Sequence, residues 1–313
     1  MREARTVVTE GLWSIGELAK RAGATVKTVR YYSERGLLPE AGRSAGGHRR
    51  YGPGALERLR LIRSLRALGL PVPEVERVLA RDEALEEVVS DRLRQLGSEL
   101  AALRWREASL RLLRDCPAGD RVEQVRLLGA VAVPPDTAAL VRFWRRVLPA
   151  RLPRRVASTV LDAVVPRPPA EPSPAQVLGF ARLHALVSDP GLDRPEARPA
   201  QPLPAGEYRP AVLYEGLAEA YALAATELGA GRDVRDGGAL DCFVGAYAHA
   251  RGETDSADFR RALVPLLARA DGPVITRYWK LAGGLFAPGE PVLGVLHHHL
   301  SVALRQDVGM RGD

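Results

Sequence analysis

Residues Trp13 to Tyr51, WSIGELAKRAGATVKTVRYYSERGLLPEAGRSAGGHRRY, decide the fold. Ser14 and Glu17 have the spacing of a capping box, in which the hydroxyl takes a free backbone N–H and the carboxylate reaches back to the cap. Ile15, Leu18 and Ala19 follow at helical spacing, which predicts a short helix. Gly23 comes four residues after Ala19, where the chain must turn tightly and a Cβ would be strained. Thr25 can cap a second helix whose inner side reads Val26, Val29 and Tyr32 or Ser33. A small Ala19, a turn Gly23 and an apolar Val29 form the packing rule of a helix-turn-helix: the small residue lets two helices cross closely, and the valine pins the second into the crossing. The outward face of that second helix carries Lys27, Thr28, Arg30 and Tyr31, donors suited to base edges and phosphates.

Working outward, Arg43, His48, Arg49, Arg50 and Tyr51 surround Gly46-Gly47, as the edges of a β-hairpin wing with glycines at its tip would. From Gly54 to Leu68 the residues Leu56, Leu59, Ile62, Leu65 and Leu68 fall at helical spacing, with Arg58, Arg60, Arg63 and Arg66 opposite. Gly69-Leu70-Pro71 stops that helix, and Pro73-Glu74 start another, running through Val75 to Ala80. Charge agrees with the motif. From Gly11 to Pro71 there are 12 Lys and Arg against 4 Asp and Glu, a balance of +8 in a chain of +7, so the remainder sums to −1. A basic N-terminal module on a nearly neutral remainder points to a polyanion read by one end.

This stretch resembles the MerR family of transcription regulators. The resemblance rests on Ile15-Gly16-Glu17-Leu18-Ala19, Arg30-Tyr31-Tyr32, Gly36-Leu37-Leu38-Pro39, Arg43, the Gly47-His48-Arg49-Arg50-Tyr51 wing, and Leu59, Ile62, Leu65 and Leu68-Gly69. His48 stands where the family more often has Tyr, and both can donate to a phosphate. The likeness covers about the first third of the chain. It implies a winged helix-turn-helix in which Lys27, Thr28, Arg30 and Tyr31 meet the major groove and Arg43, His48, Arg49, Arg50 and Tyr51 grip the backbone. It also implies a second wing from the helix pair after Gly54, through which Arg60, Arg63 or Arg66 could touch phosphate. It further implies a dimer on a palindromic promoter operator, untwisting and bending DNA to the benefit of RNA polymerase.

A long helix is expected from Glu83 to about Leu113, with no proline to break it. Val89, Leu93, Leu96, Leu100, Leu103 and Leu110 make a heptad seam interrupted only by Glu107. Such a stripe can pack on its own domain, whereas the resemblance implies the antiparallel helix of a homodimer. With a crossing near Leu100, Glu107 of one copy would lie beside Arg92 and Arg94 of the other.

The organisation expected is mainly α. It comprises a winged helix-turn-helix DNA-binding domain at residues 11–82, a coiled-coil dimerisation helix at 83–115, a linker at 116–135, and an all-helical effector domain at 136–306. In the last, Pro and Gly punctuate helices near Thr137–Leu148, Arg154–Val164, Pro174–Ser188, Arg209–Leu228, Gly237–Ala250, Ser256–Ala270, Val274–Phe286 and Pro291–Arg305. Pro166 to Pro174 and Asp189 to Gly206 read as Pro-rich connectors, the second a flap or a disordered stretch.

Candidate chemistry in this domain is sparse. There is no GxGxxG, no Walker lysine motif, no HExxH and no nucleophile elbow, so no catalytic residues and no enzyme activity are expected. His297-His298-His299 point about 100° apart on a helix and cannot converge on one ion, and no metal or cofactor is expected. Cys116 and Cys242 form neither a disulfide framework nor a metal spacing and are taken as inert thiols. The candidate ligand site is an aromatic set with carboxylates, namely Tyr214, Glu215, Tyr221, Asp241, Phe243 and Tyr247. Rings with one or two acids suit a bulky organic effector, cationic ones included, such as a drug or antibiotic. The competing reading is an ordinary helical core. No apolar run approaches the ~20 residues of a membrane span, and the N-terminus lacks an apolar signal core, so a cytoplasmic protein with no membrane contact is expected. The expected function is a ligand-responsive DNA-binding regulator. A head fused to a protein-partner-binding, drug-sequestering or enzymatic domain remains open.

Overall fold

A computed structural model describes residues 11–81, 84–193, 208–270 and 272–310. Among them are fourteen α-helices and one two-stranded sheet, in two compact units that divide between Glu99 and Leu100.

In the first unit, α1 (Ile15–Arg21) is closed by the expected capping box: Ser14 N–H donates to Glu17 Oε2 at 2.7 Å and Glu17 N–H donates to Ser14 Oγ at 3.3 Å. These bonds to the charged form, with Arg21 and Arg50 nearby, hold the Glu17 carboxyl below its ordinary range. Gly23 turns the chain at φ +60°, a left-handed conformation that only glycine adopts cheaply. Thr25 caps α2 (Val26–Glu34) by accepting from Thr28 N–H at 3.1 Å. Val29, Tyr32 and Ser33 are buried, whereas Val26 faces out. It is the first residue of the helix, too close to the turn to reach the crossing. Strands β1 (Gly42–Arg43) and β2 (Arg49–Arg50) pair antiparallel, Gly42 opposite Arg50 and Arg43 opposite Arg49. Trp13 and Tyr51 exchange backbone bonds of 2.8 and 2.9 Å, which ties the wing to the entry of α1.

Helix α3 (Pro53–Ala67) buries Leu56, Leu59, Ile62 and Leu65, but Leu68 caps the helix and points to solvent. Helix α4 (Val72–Ala80) starts one residue before the expected Pro73, with Pro71 at its N-cap and Pro73 in its first turn, where its missing N–H has no helical acceptor to serve. Helix α5 (Ala84–Asp115) runs unbroken through 32 residues. Its expected first residue, Glu83, lies outside the described residues.

The second unit has two cores. One gathers Trp105 and Ala108 of α5 with Leu140, Phe143 and Trp144 of α7 (Ala138–Val147), Val164 of α8 (Arg154–Val164), Phe180 and Leu183 of α9 (Pro174–Val187), and Tyr278 of α13 (Pro273–Ala282). The other joins α10 (Pro210–Gly229), α11 (Ala239–Arg251), α12 (Ala257–Ala270) and α14 (Leu293–Met310) around Leu213, Phe243, Tyr247, Leu263 and Leu300. Gly216 lets α10 and α11 approach so closely that a Cβ there would stand 2.7 Å from that of Ala246.

The linker expected at 116–135 contains a further helix, α6 (Arg121–Gly129). The expected helix to Phe286 stops at Ala282, where Gly283-Gly284 follow, and the last helix continues to Met310. Pro190–Asp193 form a 3-10 turn, and the rest of the connector expected to Gly206 lies outside the described residues.

Candidate nucleic-acid interface

The second helix presents Lys27, Arg30 and Tyr31 to solvent, with Thr28 half-buried and its hydroxyl 2.8 Å from Thr25 Oγ1. Tyr31 is oriented by Arg35, whose Nη1 donates to the phenol oxygen at 2.6 Å and whose Nε holds Glu76 at 2.9 Å. Arg43 and His48 stand exposed on the wing. Arg49 is half-buried, held by Glu40 at 2.7 Å and donating to Ser33 Oγ at 2.7 Å. Arg50 is half-buried near Glu17. The sequence reading overlooked Arg35 and Glu40. Glu40 was the visible signal, a lone acid beside the cationic wing.

Two expected contacts change role. Tyr51 is fully buried, and its hydroxyl lies 2.6 Å from Ser33 Oγ, so it is the pillar that fixes the wing to α2 and cannot grip phosphate. Arg63 donates Nη1 to the Ala22 carbonyl and braces the helix-turn-helix corner. Other arginines of α3 are likewise committed. Arg58 donates to the Leu37 and Leu79 carbonyls at 3.2 and 2.9 Å, and Arg66 donates to Leu70 at 2.6 Å. Arg60 pairs with Glu57 at 3.0 Å.

The seam residues Val89, Leu93, Leu96, Leu100, Leu103 and Leu110 are all exposed in the single chain, Leu93 at 64% and Leu110 at 67%. The opposite side of α5 is occupied at home, with Val88 in the head core and Trp105 and Ala108 in the first core of the second unit. Glu107 pairs along its own helix with Arg111 at 2.6 Å.

The expected ligand set does not converge. Phe243 and Tyr247 are buried, their rings packed edge to face at 5.3 Å, so they fill the core and do not wall a cavity. Tyr214 and Tyr221 are half-buried on α10 and Glu215 is exposed. Burial and nearby Tyr208 push the Tyr214 phenol above its ordinary range. The Tyr221 hydroxyl lies 2.9 Å from His297 Nδ1. Asp241 accepts from Arg260 at 2.6 Å, in a knot that also holds Asp255 at 2.7 Å and Asp307 at 2.9 Å. That buried arginine joins α11, α12 and α14, and each acid raises its already high pKa. A groove of about 270 Å³ does run beside α10 and α11, lined by Val212, Gly216, Glu219, Asp241, Cys242 and His249 among others. A second of the same volume borders α12 at Phe259, Ala262 and Leu266. Neither is aromatic-walled like the expected site. Among the described residues, no three His, Cys, Asp or Glu side chains are grouped to hold a metal, and no helix is long and apolar enough to cross a membrane.

Comparison with known proteins bears on the same N-terminal region. The model of the MerR HTH family regulatory proteins matches residues 13–82. The nodulation protein NolA of Bradyrhizobium elkanii is 34% identical over 112 residues, which is 36% of this chain and 49% of NolA. The chain thus spans about half of that relative, or less in other NolA proteins. The HTH-type transcriptional regulator ZntR of Escherichia coli K12 is 32% identical over 116 residues, 34% of this chain and 82% of ZntR. The solved transcription regulator PbrR691 of Ralstonia metallidurans CH34, in complex with lead(II), is 37% identical over 34% of this chain and 89% of its own, with a TM-score of 0.30. With a capped helix-turn-helix, a cationic wing and a relative matched over most of its length, the chain belongs to the MerR family of helix-turn-helix transcription regulators.

Proposed function

We propose that the chain acts in the cytoplasm as a homodimer on a palindromic promoter operator, where it distorts double-stranded DNA and so controls RNA polymerase, and that its C-terminal helical domain takes a small organic effector. The observation that carries this reading is the two-sided apolar character of α5. One side is packed within the chain, while Leu93, Leu96, Leu100, Leu103 and Leu110 stay in water on the other. Leaving several leucines exposed is unfavourable by about 25 cal/mol per Å² relative to burying them, and a second copy of the same helix supplies the matching surface. Two heads at a separation fixed by that helix can then bias DNA shape through the angle between them.

In this reading Lys27, Thr28, Arg30 and Tyr31 face the major groove. Arg43, His48, Arg49 and Arg50 face phosphates. The effector takes the groove beside α10 and α11, where Glu219 and Asp241 offer carboxylates to a cation. Tyr214, Glu215, Tyr221, Phe243 and Tyr247 do not line this groove, so of the expected set only Asp241 is retained as a contact. An effector shifts the heads only by binding one arrangement better, with a coupling of about 1–3 kcal/mol.

The test is a mass-spectrometric search for compounds co-purifying with the full chain, followed by operator binding with each. A compound that changes operator affinity or DNA bend, and loses this effect in Asp241→Asn, supports the reading. Compounds without effect on either count against it. A protein partner is the second reading, favoured by the exposed Val122 and Val125 of α6.

A further inference from the structure

We propose that the arginine-rich corner of α7 and α8 is a second surface for the phosphate backbone of duplex DNA, separate from the winged head. The proposal rests on the DNA-binding reading of this regulator but uses none of the head residues. The near-neutral total of the C-terminal two-thirds conceals it. From Ala138 to Leu161 the chain holds six arginines and no Asp or Glu. Arg142 and Arg145 lie on the side of α7 away from Leu140, Phe143 and Trp144. Arg151 is in the connection, and Arg154 and Arg155 open α8. All five are exposed, and none has a carboxylate within 4.0 Å among the described residues.

Elsewhere in this unit several arginines are paired, as Arg104 with Glu171, Arg111 with Glu107, Arg235 with Asp233 and Arg251 with Glu253, and exposed ones such as Arg232, Arg269 and Arg277 are scattered along the chain; what sets this corner apart is the density of its cations. Position within the helices adds a second reason. Arg145, in the last turn of α7, suits the negative end of that helix. Arg154 and Arg155 stand instead in the first turn of α8, which contains no acid, so two cations face the positive end of a helix dipole. Pro153 offers no side-chain cap, and the first intrahelical bond is Ala157 N–H to Pro153 O at 2.9 Å. The N–H groups of Arg154, Arg155 and Val156 precede it and have no helical acceptor. This arrangement is unfavourable for the isolated domain and becomes favourable once anions sit at the corner.

The cations spread over a surface and do not converge in a cavity, which suits a polyanion better than a single phosphate. Guanidinium groups match phosphate oxygens in fork geometry. Duplex DNA is the polyanion that a chain of this family already engages.

The experiment measures binding of the full chain to a mixed-sequence duplex of about 40 base pairs as salt is varied, since each phosphate contact steepens the log–log slope by about 0.9. The triple variant Arg145→Gln, Arg154→Gln, Arg155→Gln is expected to flatten the slope by about 2–3 and weaken binding on the order of tenfold at low salt, and the corresponding triple Lys variant should restore the slope. A control with Arg232→Gln, Arg269→Gln and Arg277→Gln, exposed elsewhere in the unit, should leave the slope near that of the wild type. A wild-type slope in the α7–α8 variant, or equal flattening in the control, overturns the proposal. Arg49→Gln with Arg50→Gln tests the head separately: if that variant alone flattens the slope, the head reading stands and this one falls.

Discussion

Tyr51 and Arg50 are neighbours in the sequence and do different work. Replacing Tyr51 by Phe removes the hydroxyl beside Ser33 and should cost about 1 kcal/mol of head stability in thermal or urea unfolding while leaving the salt slope of DNA binding unchanged. Arg50→Ala should lower affinity for all sequences and flatten the slope by about 1, with little loss of stability. A Tyr51→Phe protein with a flattened slope would return Tyr51 to the phosphate contacts. Burial, with Glu219 adding to it, raises the Cys242 thiol above its ordinary range, so less thiolate exists at neutral pH. Cys242 should therefore alkylate more slowly than a free thiol at pH 7 and catch up as pH rises through its elevated value, measured by iodoacetamide mass labelling. A rate at pH 7 equal to that of free cysteine would contradict this. Residues with a backbone job, Ser14, Gly23 and Thr25, were legible because capping and left-handed turns admit few residue types. Tyr51 was not, since a tyrosine beside two arginines reads the same whether its ring faces DNA or core.

Most helices were legible because prolines and glycines punctuate them, as Pro153, Pro174, Pro210 and Pro273 do. Helix α6 was hidden by its brevity and by Val122 and Val125, which face solvent and so make no inward pattern. In α5 the seam was visible as a regular leucine stripe, while the opposing face was not, because Trp105 and Ala108 meet partners far along the chain. That double-sidedness sharpens two tests. Leu96→Asp with Leu103→Asp, both exposed, should give monomers by sedimentation and weak half-site binding without loss of helicity. A double variant that stays dimeric would move the interface elsewhere, most directly to α6. Truncation after residue 119, the obvious way to isolate the head, would strip α7 and α9 from Trp105, so a loss of binding in that fragment would report exposed core and not the role of the second domain.

At the scale of the whole molecule, composition located the rings but not their orientation. Phe143 stacks on Tyr278 at 5.5 Å and Trp144 meets Tyr278 edge-on at 5.1 Å, so the aromatics of the second unit largely face one another. A hydrophobic count cannot distinguish that from a pocket wall, which is why Phe243 and Tyr247 read as ligand contacts. Net charge misled in the same way, since a sum of −1 averages the acidic residues with the cations of α7 and α8. The helix-turn-helix escaped both averages because it depends on order and spacing. Joined through the proposed α5 dimer it would read DNA symmetrically, and selection of bound sequences from a random duplex pool by the full chain tests this most directly. The expected result is an enriched inverted repeat, bound as a dimer, whose affinity falls at least tenfold on Arg49→Gln with Arg50→Gln, as loss of two phosphate contacts would produce. Enrichment of no sequence, or of a single unrepeated site bound equally well by that variant, would contradict the account.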